Sequence, residues 1–259
     1  MLWLKLERER LEKTTRILSA LGAGWGEPAQ MTQDDPPDDG NPFVVWGQLY
    51  SALRLIPQAL KTGRPFWQLD NGFWQPGRGG NGGFYRLNYR GLSPILMDEP
   101  SAQRGFYGSP LLKPWRKTGK HILLAFPGDG FGRSVGLDMT QWAEDMKRIL
   151  PTKTDRPIVV RPKKCGTPLA KHFDDCWALV THSSNVAVDA AIAGVPVFVA
   201  ASNPAAPVGN LDLEDLENPV MPARKKWLYS LSCQQYTIEE MKNGTAYEFM
   251  SMVRKQVDA

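Results

Sequence analysis

The run Trp177-Ala-Leu-Val-Thr-His-Ser-Ser-Asn-Val-Ala-Val-Asp-Ala-Ala-Ile-Ala-Gly-Val-Pro-Val-Phe-Val-Ala200 decides the fold. Residues 177–211 are thirty-five positions with a single formal charge, Asp189. Residues 177–181 read as a strand, 182–185 as a polar turn, 186–193 as a short helix and 195–200 as a second strand. Gly194 stands where a helix C-cap wants a positive φ, and Pro196 follows where a helix cannot continue. Val, Phe and Ala without alternation describe strands covered on both faces, as parallel strands are. The turn thus leaves the carboxyl end of a parallel strand and enters a helix N-terminus. Free N–H groups and the positive dipole end favour an anion there. The pattern is that of a phosphate site in an α/β domain.

Working outward, His121-Ile-Leu-Leu-Ala-Phe126 and Pro157-Ile-Val-Val160 read as further strands. Asp138, with Gln141 three residues on, caps a helix over 142–150. In the N-terminal half, the strand Phe43-Val-Val-Trp46, a helix over 49–61 closed by Gly63-Arg-Pro65, and the strand Phe66-Trp-Gln-Leu69 make a βαβ unit. Asp70-Asn-Gly72 lies just past it, and 84–90 reads as another strand. Leu4, Leu11, Ile17, Leu18 and Leu21 predict a solvent-faced helix over 4–21. Residues 23–41, with Asp34-Asp-Pro-Pro-Asp-Asp-Gly40, predict a loop. The glycines of 77–83 lack the Lys-Ser/Thr of a P-loop and read as a mobile loop. Residues 98–119, rich in Pro, Gly and cations, read as a linker. Thr237-Ile-Glu-Glu240 is a capping box opening a helix over 239–255. The expected fold is α/β, with two Rossmann-like lobes facing a cleft, over 1–115 and 116–235, and a C-terminal helix over 236–259.

With 42% apolar residues the chain has ample material for a core, and nine Trp and twenty-one Pro suit a loop-rich enzyme better than a bundle. The net charge of +4 names no partner by itself, but the cations are grouped: Arg78, Arg86 and Arg90; Lys113, Arg116, Lys117 and Lys120; Arg156, Arg161, Lys163 and Lys164; Arg224, Lys225 and Lys226. Each group reads either as solvated surface or as a seat for an anion. Three cysteines and three histidines show no metal spacing, and an odd, sparse cysteine set fits free thiols in a reducing compartment. The N-terminus turns charged too early for a signal peptide, and no apolar run approaches the roughly 20 residues of a membrane span. A cytoplasmic protein with no membrane span and no metal is expected.

In an open parallel sheet, ligands lie beyond the carboxyl ends of the strands. Three segments of the C-terminal half end there. Residues 127–133 bring Gly128 and Gly130, which let backbone N–H groups approach a phosphate. Residues 161–164 bring Arg161 and Lys163, fixed cations of which Arg161 can fork onto phosphate oxygens. Residues 182–185 bring Ser183, Ser184 and Asn185 to a helix N-terminus, where the serines can equally serve as an N-cap. Asp189 sits one turn into an apolar helix and needs a partner. A ligand sugar hydroxyl or an internal pair with Arg161 or Lys163 would supply one.

The segment Ser183-Ser-Asn-Val-Ala-Val-Asp-Ala-Ala-Ile-Ala-Gly-Val-Pro-Val197 resembles the Ser…Glu-Ala…Gly-x-Pro-Val signature of GT-B glycosyltransferases. In that family the serine end binds the donor phosphate and the acidic residue, here Asp189 in place of Glu, holds the ribose. Arg161-Pro-Lys163 together with Thr181-His-Ser-Ser184 is most similar to the capsule-type Kdo- and sialyl-transferases, with Lys163 near the place of a histidine. Asp70-Asn-Gly72 resembles their acidic-acidic-Gly motif, which implies Asp70 as catalytic base. The tail over 227–244 resembles proteins of bacteriophage genomes, which implies host cytoplasm and an acceptor that is a modified DNA base or a glycan.

The resemblance implies transfer of a sugar from a nucleotide-sugar donor, with no further cofactor, from the 116–235 lobe to an acceptor on the 1–115 lobe. Asp70 would act as general base in an inverting displacement. Arg161, Lys163, Ser183 and Ser184 would stabilise the leaving phosphate without a metal. Two rivals stand beside this reading. One is a nucleotide-sugar epimerase of similar fold. The other is a non-catalytic nucleic-acid binder with Trp67, Trp74, Tyr85 and Tyr89 as stacking surfaces.

Overall fold

The computed structural model describes residues 1–74, 83–91, 93–97, 111–128, 132–134, 136–163 and 165–259. Most of the glycine-rich loop at 77–83, Arg78, the first part of the linker at 98–110, Gly130 and Lys164 lie outside them. The chain divides into two compact units, one of residues 1–108 with 228–259, the other of residues 109–227.

The first unit is built on a six-stranded sheet in the order β10-β5-β4-β3-β1-β2. Its strands are β1 (Leu2–Lys5), β2 (Ala29–Thr32), β3 (Phe43–Trp46), β4 (Phe66–Asn71), β5 (Tyr85–Tyr89) and β10 (Gln235–Tyr236). Strands β1 to β4 pair in parallel, and β5 and β10 add antiparallel pairs. One face packs on α1 (Leu11–Ala23), α7 (Ile238–Lys242) and α8 (Thr245–Asp258), burying Leu4, Ile17, Leu21, Trp67, Met241 and Phe249. The other face packs on α2 (Ala52–Thr62) through Phe43, Val45, Leu55 and Phe66. Each such side chain contributes about 1.5–3 kcal/mol when fully buried.

Four expectations for this unit are corrected. Leu2–Lys5 is a strand, not the start of a helix: Leu2 and Leu4 are buried in the sheet, and the helix begins at Leu11 after a single 3-10 turn. The region expected as a loop contains β2, which pairs with all four residues of β1. The single C-terminal helix is two helices: Thr237 and Glu240 form the expected capping box for α7, and the chain breaks at Asn243-Gly244 before α8. Asp70 and Asn71 are the last residues of β4 rather than a free turn, because β5 runs back antiparallel with Arg86 opposite Asp70.

The second unit carries a four-stranded, wholly parallel sheet in the order β7-β6-β8-β9. It comprises β6 (His121–Ala125), β7 (Ile158–Arg161), β8 (Cys176–Val180) and β9 (Val197–Phe198), with α3 (Met139–Ile149), α4 (Leu169–His172) and α5 (Val186–Ile192) between them. Asp138 caps α3 by accepting from the N–H groups of Thr140 and Gln141. Gly194 ends the α5 segment at φ 81°, in the left-handed region its position in the sequence demanded. Strand β9 is shorter than expected, two residues of the apolar run, since only Val197 and Phe198 pair with β8. Helix α6 (Lys225–Ser232) runs from the end of this unit into the first.

The α/β class expected from the sequence is the class observed, with two Rossmann-like sheets and a C-terminal helix. The two units also share a topology. Numbering the first four strands of each in chain order, both sheets read 2-1-3-4. In that order the connection reverses direction beside the first strand, and ligands bind in the crevice between the carboxyl ends of strands one and three.

Candidate active site

In the second unit that crevice lies between the ends of β6 and β8. The register sets Ala125 beside Arg161, and Leu124 beside Val180, so the chain leaves all three strands at one level. Three of the segments singled out in the sequence begin there.

Gly128 and Lys163, from different loops, are in direct contact: a Cβ built on Gly128 would collide with the Lys163 ammonium. Any side chain at 128 would displace the lysine. Lys163 is exposed and forms no ion pair among the described residues. Arg161 is half-buried, and its Nε is buried with no hydrogen-bond partner. Ser183, Ser184 and Asn185 are half-buried at the start of α5. The Ser184 hydroxyl accepts from the Val186 N–H at 3.4 Å just before the helix, while the N-cap position falls to Asn185, which makes no side-chain cap. Asp189 is buried within α5, in its first turn. The first and second loops thus meet at Gly128 and Lys163, and the third starts at the same level of the sheet.

Two features escape a reading of motifs. Asn203, 1% exposed, donates from Nδ2 to the carbonyls of His182 and Ser184, both at 3.2 Å, and accepts from the Ala205 N–H. It fixes the turn from behind. Beside the turn, Trp142, Met146, Thr181, His182, Phe198 and Leu213 help to line a cavity of about 190 Å³. Its walls are largely apolar, and the Thr181 Oγ1 is buried there without a partner. The Trp142 and His182 rings meet edge to face at 5.9 Å, and burial holds the imidazole below the usual histidine range. No motif in the sequence marks Trp142; its place at the end of β8 follows only from the sheet order.

Several of the grouped cations are committed to structure. Arg156 pairs with Glu217, Lys120 with Asp175, Arg90 with Asp258, and Arg224 donates to the carbonyls of Ala191 and Lys113 while stacking on Trp115. The proposed stacking surface for nucleic acid is overturned. Trp67, Trp74, Tyr85 and Tyr89 are each at most 2% exposed, because β4, β5 and the turn after β4 are interior to the first unit.

In the first unit Asp70 lies at the carboxyl end of β4. One oxygen accepts from the Asn71 N–H at 2.7 Å, and the other meets the Arg86 guanidinium at 3.1 Å. Lys13 reaches the neighbouring Asn71 amide oxygen at 3.0 Å and lies over the Trp46 ring. The carboxylate is therefore held in one orientation among cations.

The chain shares its fold with two solved transferase structures. One is Thermosulfurimonas dismutans KpsC, a beta Kdo 2,4 transferase, with a TM-score of 0.53 and 13% identity over 90% of this chain and 91% of that one. The other is T. dismutans KpsC, a beta Kdo 2,7 transferase, with a TM-score of 0.53 and 12% identity over 98% of this chain and 99% of that one. No protein-family model matches the chain, and no curated protein sequence matches it. Among the described residues no helix is long and apolar enough to cross a membrane.

Proposed function

We propose that the chain is a glycosyltransferase that moves a sugar from a nucleotide-sugar donor to an acceptor hydroxyl. The observation that carries this reading is the meeting of the Gly128 and Lys163 loops beside the start of α5, at the one crevice of the second sheet where parallel α/β domains bind ligands. The donor phosphate belongs there, met by Lys163, Arg161 and the polar turn 182–185, with Asp189, buried in the first turn of α5, as the side chain for a sugar hydroxyl. The Trp142–Phe198 cavity suits a flat heterocyclic base, for which Thr181 Oγ1 supplies a hydrogen-bonding group. The shared fold with Kdo transferases supports the same assignment.

Asp70, steadied by Asn71 and Arg86, is the proposed general base on the acceptor hydroxyl. The leaving phosphate draws its stabilisation from the two cations and the helix N-terminus, so no metal is assigned to the step. With Asp70 as base the reaction is a single displacement with inversion. A product of retained anomeric configuration, read by NMR, would recast the carboxylate as a nucleophile.

Thermal-shift titration with CMP, UDP, GDP and their sugars tests the donor site. One nucleotide raises the melting temperature, and Lys163→Ala weakens that nucleotide roughly tenfold or more, the worth of one charge-assisted phosphate contact. No stabilisation by any nucleotide at millimolar concentration rules the donor site out.

A further inference from the structure

The first unit has its own crevice between the ends of its first and third strands, β1 and β3, and a cavity of about 550 Å³ lies there. Lys5, Glu7, Gln33, Tyr50, Ser51 and Arg54 are among the residues that line it. Glu7 is the unusual member. It is 1% exposed; its Oε2 accepts from the Ser51 hydroxyl at 3.2 Å, while its Oε1 is buried with no hydrogen-bond partner. A buried carboxylate oxygen without a donor is costly, and folded proteins keep few of them.

The neighbouring cations are spoken for. Lys5 Nζ donates to the carbonyls of Leu6 and Gln33, each at 2.8 Å. Arg54 Nε donates to Asp35 at 2.8 Å, and Arg8 lies 3.8 Å from Asp34. The lining sets three cations against four carboxylates, which disfavours a polyanion. Among the described residues no three acidic, His or Cys side chains converge as a metal site. The donor that fits Glu7 is therefore an uncharged hydroxyl.

Tyr50 adds a second, independent mark. It is 38% exposed at the cavity and stands at φ 58°, in the left-handed region that a bulky residue adopts only where its surroundings enforce it. Its ring is part of the cavity lining and brings an apolar face to an otherwise polar wall. A pyranose ring matches both, with its C–H face and its rim of hydroxyls.

We propose that this cavity seats a neutral saccharide, with Glu7 Oε1 accepting a sugar hydroxyl and Tyr50 covering the ring. On the transferase reading above, which this step rests on for its role, the cavity is the acceptor seat and the acceptor is a glycan rather than DNA.

Saturation-transfer NMR on the full chain, with the methyl glycosides of glucose, galactose, mannose and N-acetylglucosamine and with a single-stranded DNA decamer, tests it. At least one neutral glycoside receives saturation at about 10 mM, a concentration that detects even weak millimolar binding. Glu7→Gln weakens it roughly tenfold or more without lowering the melting temperature, since a charge-assisted bond becomes a neutral one. Tyr50→Ala weakens it as well. The proposal falls if no glycoside binds, if Glu7→Gln binds as the wild type does, or if the DNA displaces the sugar. Hydrolysis of nucleotide sugar by the wild-type protein tests the transferase reading separately. Saccharide binding without hydrolysis would leave the seat and remove the transferase; hydrolysis without saccharide binding would do the reverse.

Discussion

Glu7 is a buried carboxylate in the lining of the first unit's cavity. Burial raises its carboxyl above the ordinary glutamate range, against the opposing pull of Lys5 and the Ser51 hydrogen bonds and with a small contribution from Glu9; Arg54 is the other charge that feels it. The folded chain therefore holds the Glu7 proton more tightly than the unfolded chain does. The stability this contributes is full in acid, below the unfolded value, and falls as the pH rises through the folded-state value. Glu7→Gln removes that dependence. The variant is expected to be more stable than the wild type at neutral pH, with the difference shrinking as the pH drops toward about 4. Urea unfolding of both proteins between those limits measures it, and parallel pH profiles would mean that Glu7 ionises as freely in the fold as out of it.

At the scale of elements, the turn between β8 and α5 depends on a residue eighteen positions past its end, Asn203. Asn203→Ala removes two hydrogen bonds to the turn and one from the Ala205 N–H, while the His182 and Ser184 carbonyls keep their bonds from the Ala200 and Ala187 N–H groups. A loss of about 2–3 kcal/mol is expected, at roughly 1 kcal/mol per bond, together with weaker nucleotide binding. Chemical denaturation gives the first number and the thermal-shift titration the second; full nucleotide affinity in the variant would show that the turn is held some other way. Asn203 was illegible in the sequence because nothing local marks a side chain that bonds backward across a loop. By contrast β8, α5 and the Gly194 stop were legible, since an unbroken apolar run, a helix and a glycine C-cap are each local signals. Strand β1 was misread for a physical reason. Lys5 and Glu7 are charged but buried, at 3% and 1% exposure, so the segment has the surface pattern of an amphipathic helix while it lies in the sheet. The same inversion hid the Glu7 cavity.

For the whole molecule, the repeated 2-1-3-4 order is invisible to a search for sequence repeats, because topology constrains where apolar residues fall and not which ones they are. What breaks the symmetry is the tail. The first unit takes its last strand and two helices from the far end of the chain, whereas the second is one continuous segment. Helices α7 and α8 bury Met241, Phe249 and Met250 against α1 and the sheet, Trp25 is enclosed between Trp67 and Tyr247, and the Tyr89 hydroxyl donates to Asp258 at 3.0 Å. Removing residues 236–259 would strip that face. Exposure of several large side chains at about 1.5–3 kcal/mol each is as large as the roughly 5–15 kcal/mol that holds a domain together. The truncated chain is expected to lose the protection of β1, β3 and β4 in hydrogen exchange while β6 and β8 keep theirs, since the second core of Ile122, Leu124, Trp177 and Phe198 has no share in the tail. Equal loss in both sheets would show that the second unit depends on the first to fold. Equal protection in both would show that the tail is an appendage and not part of the first core.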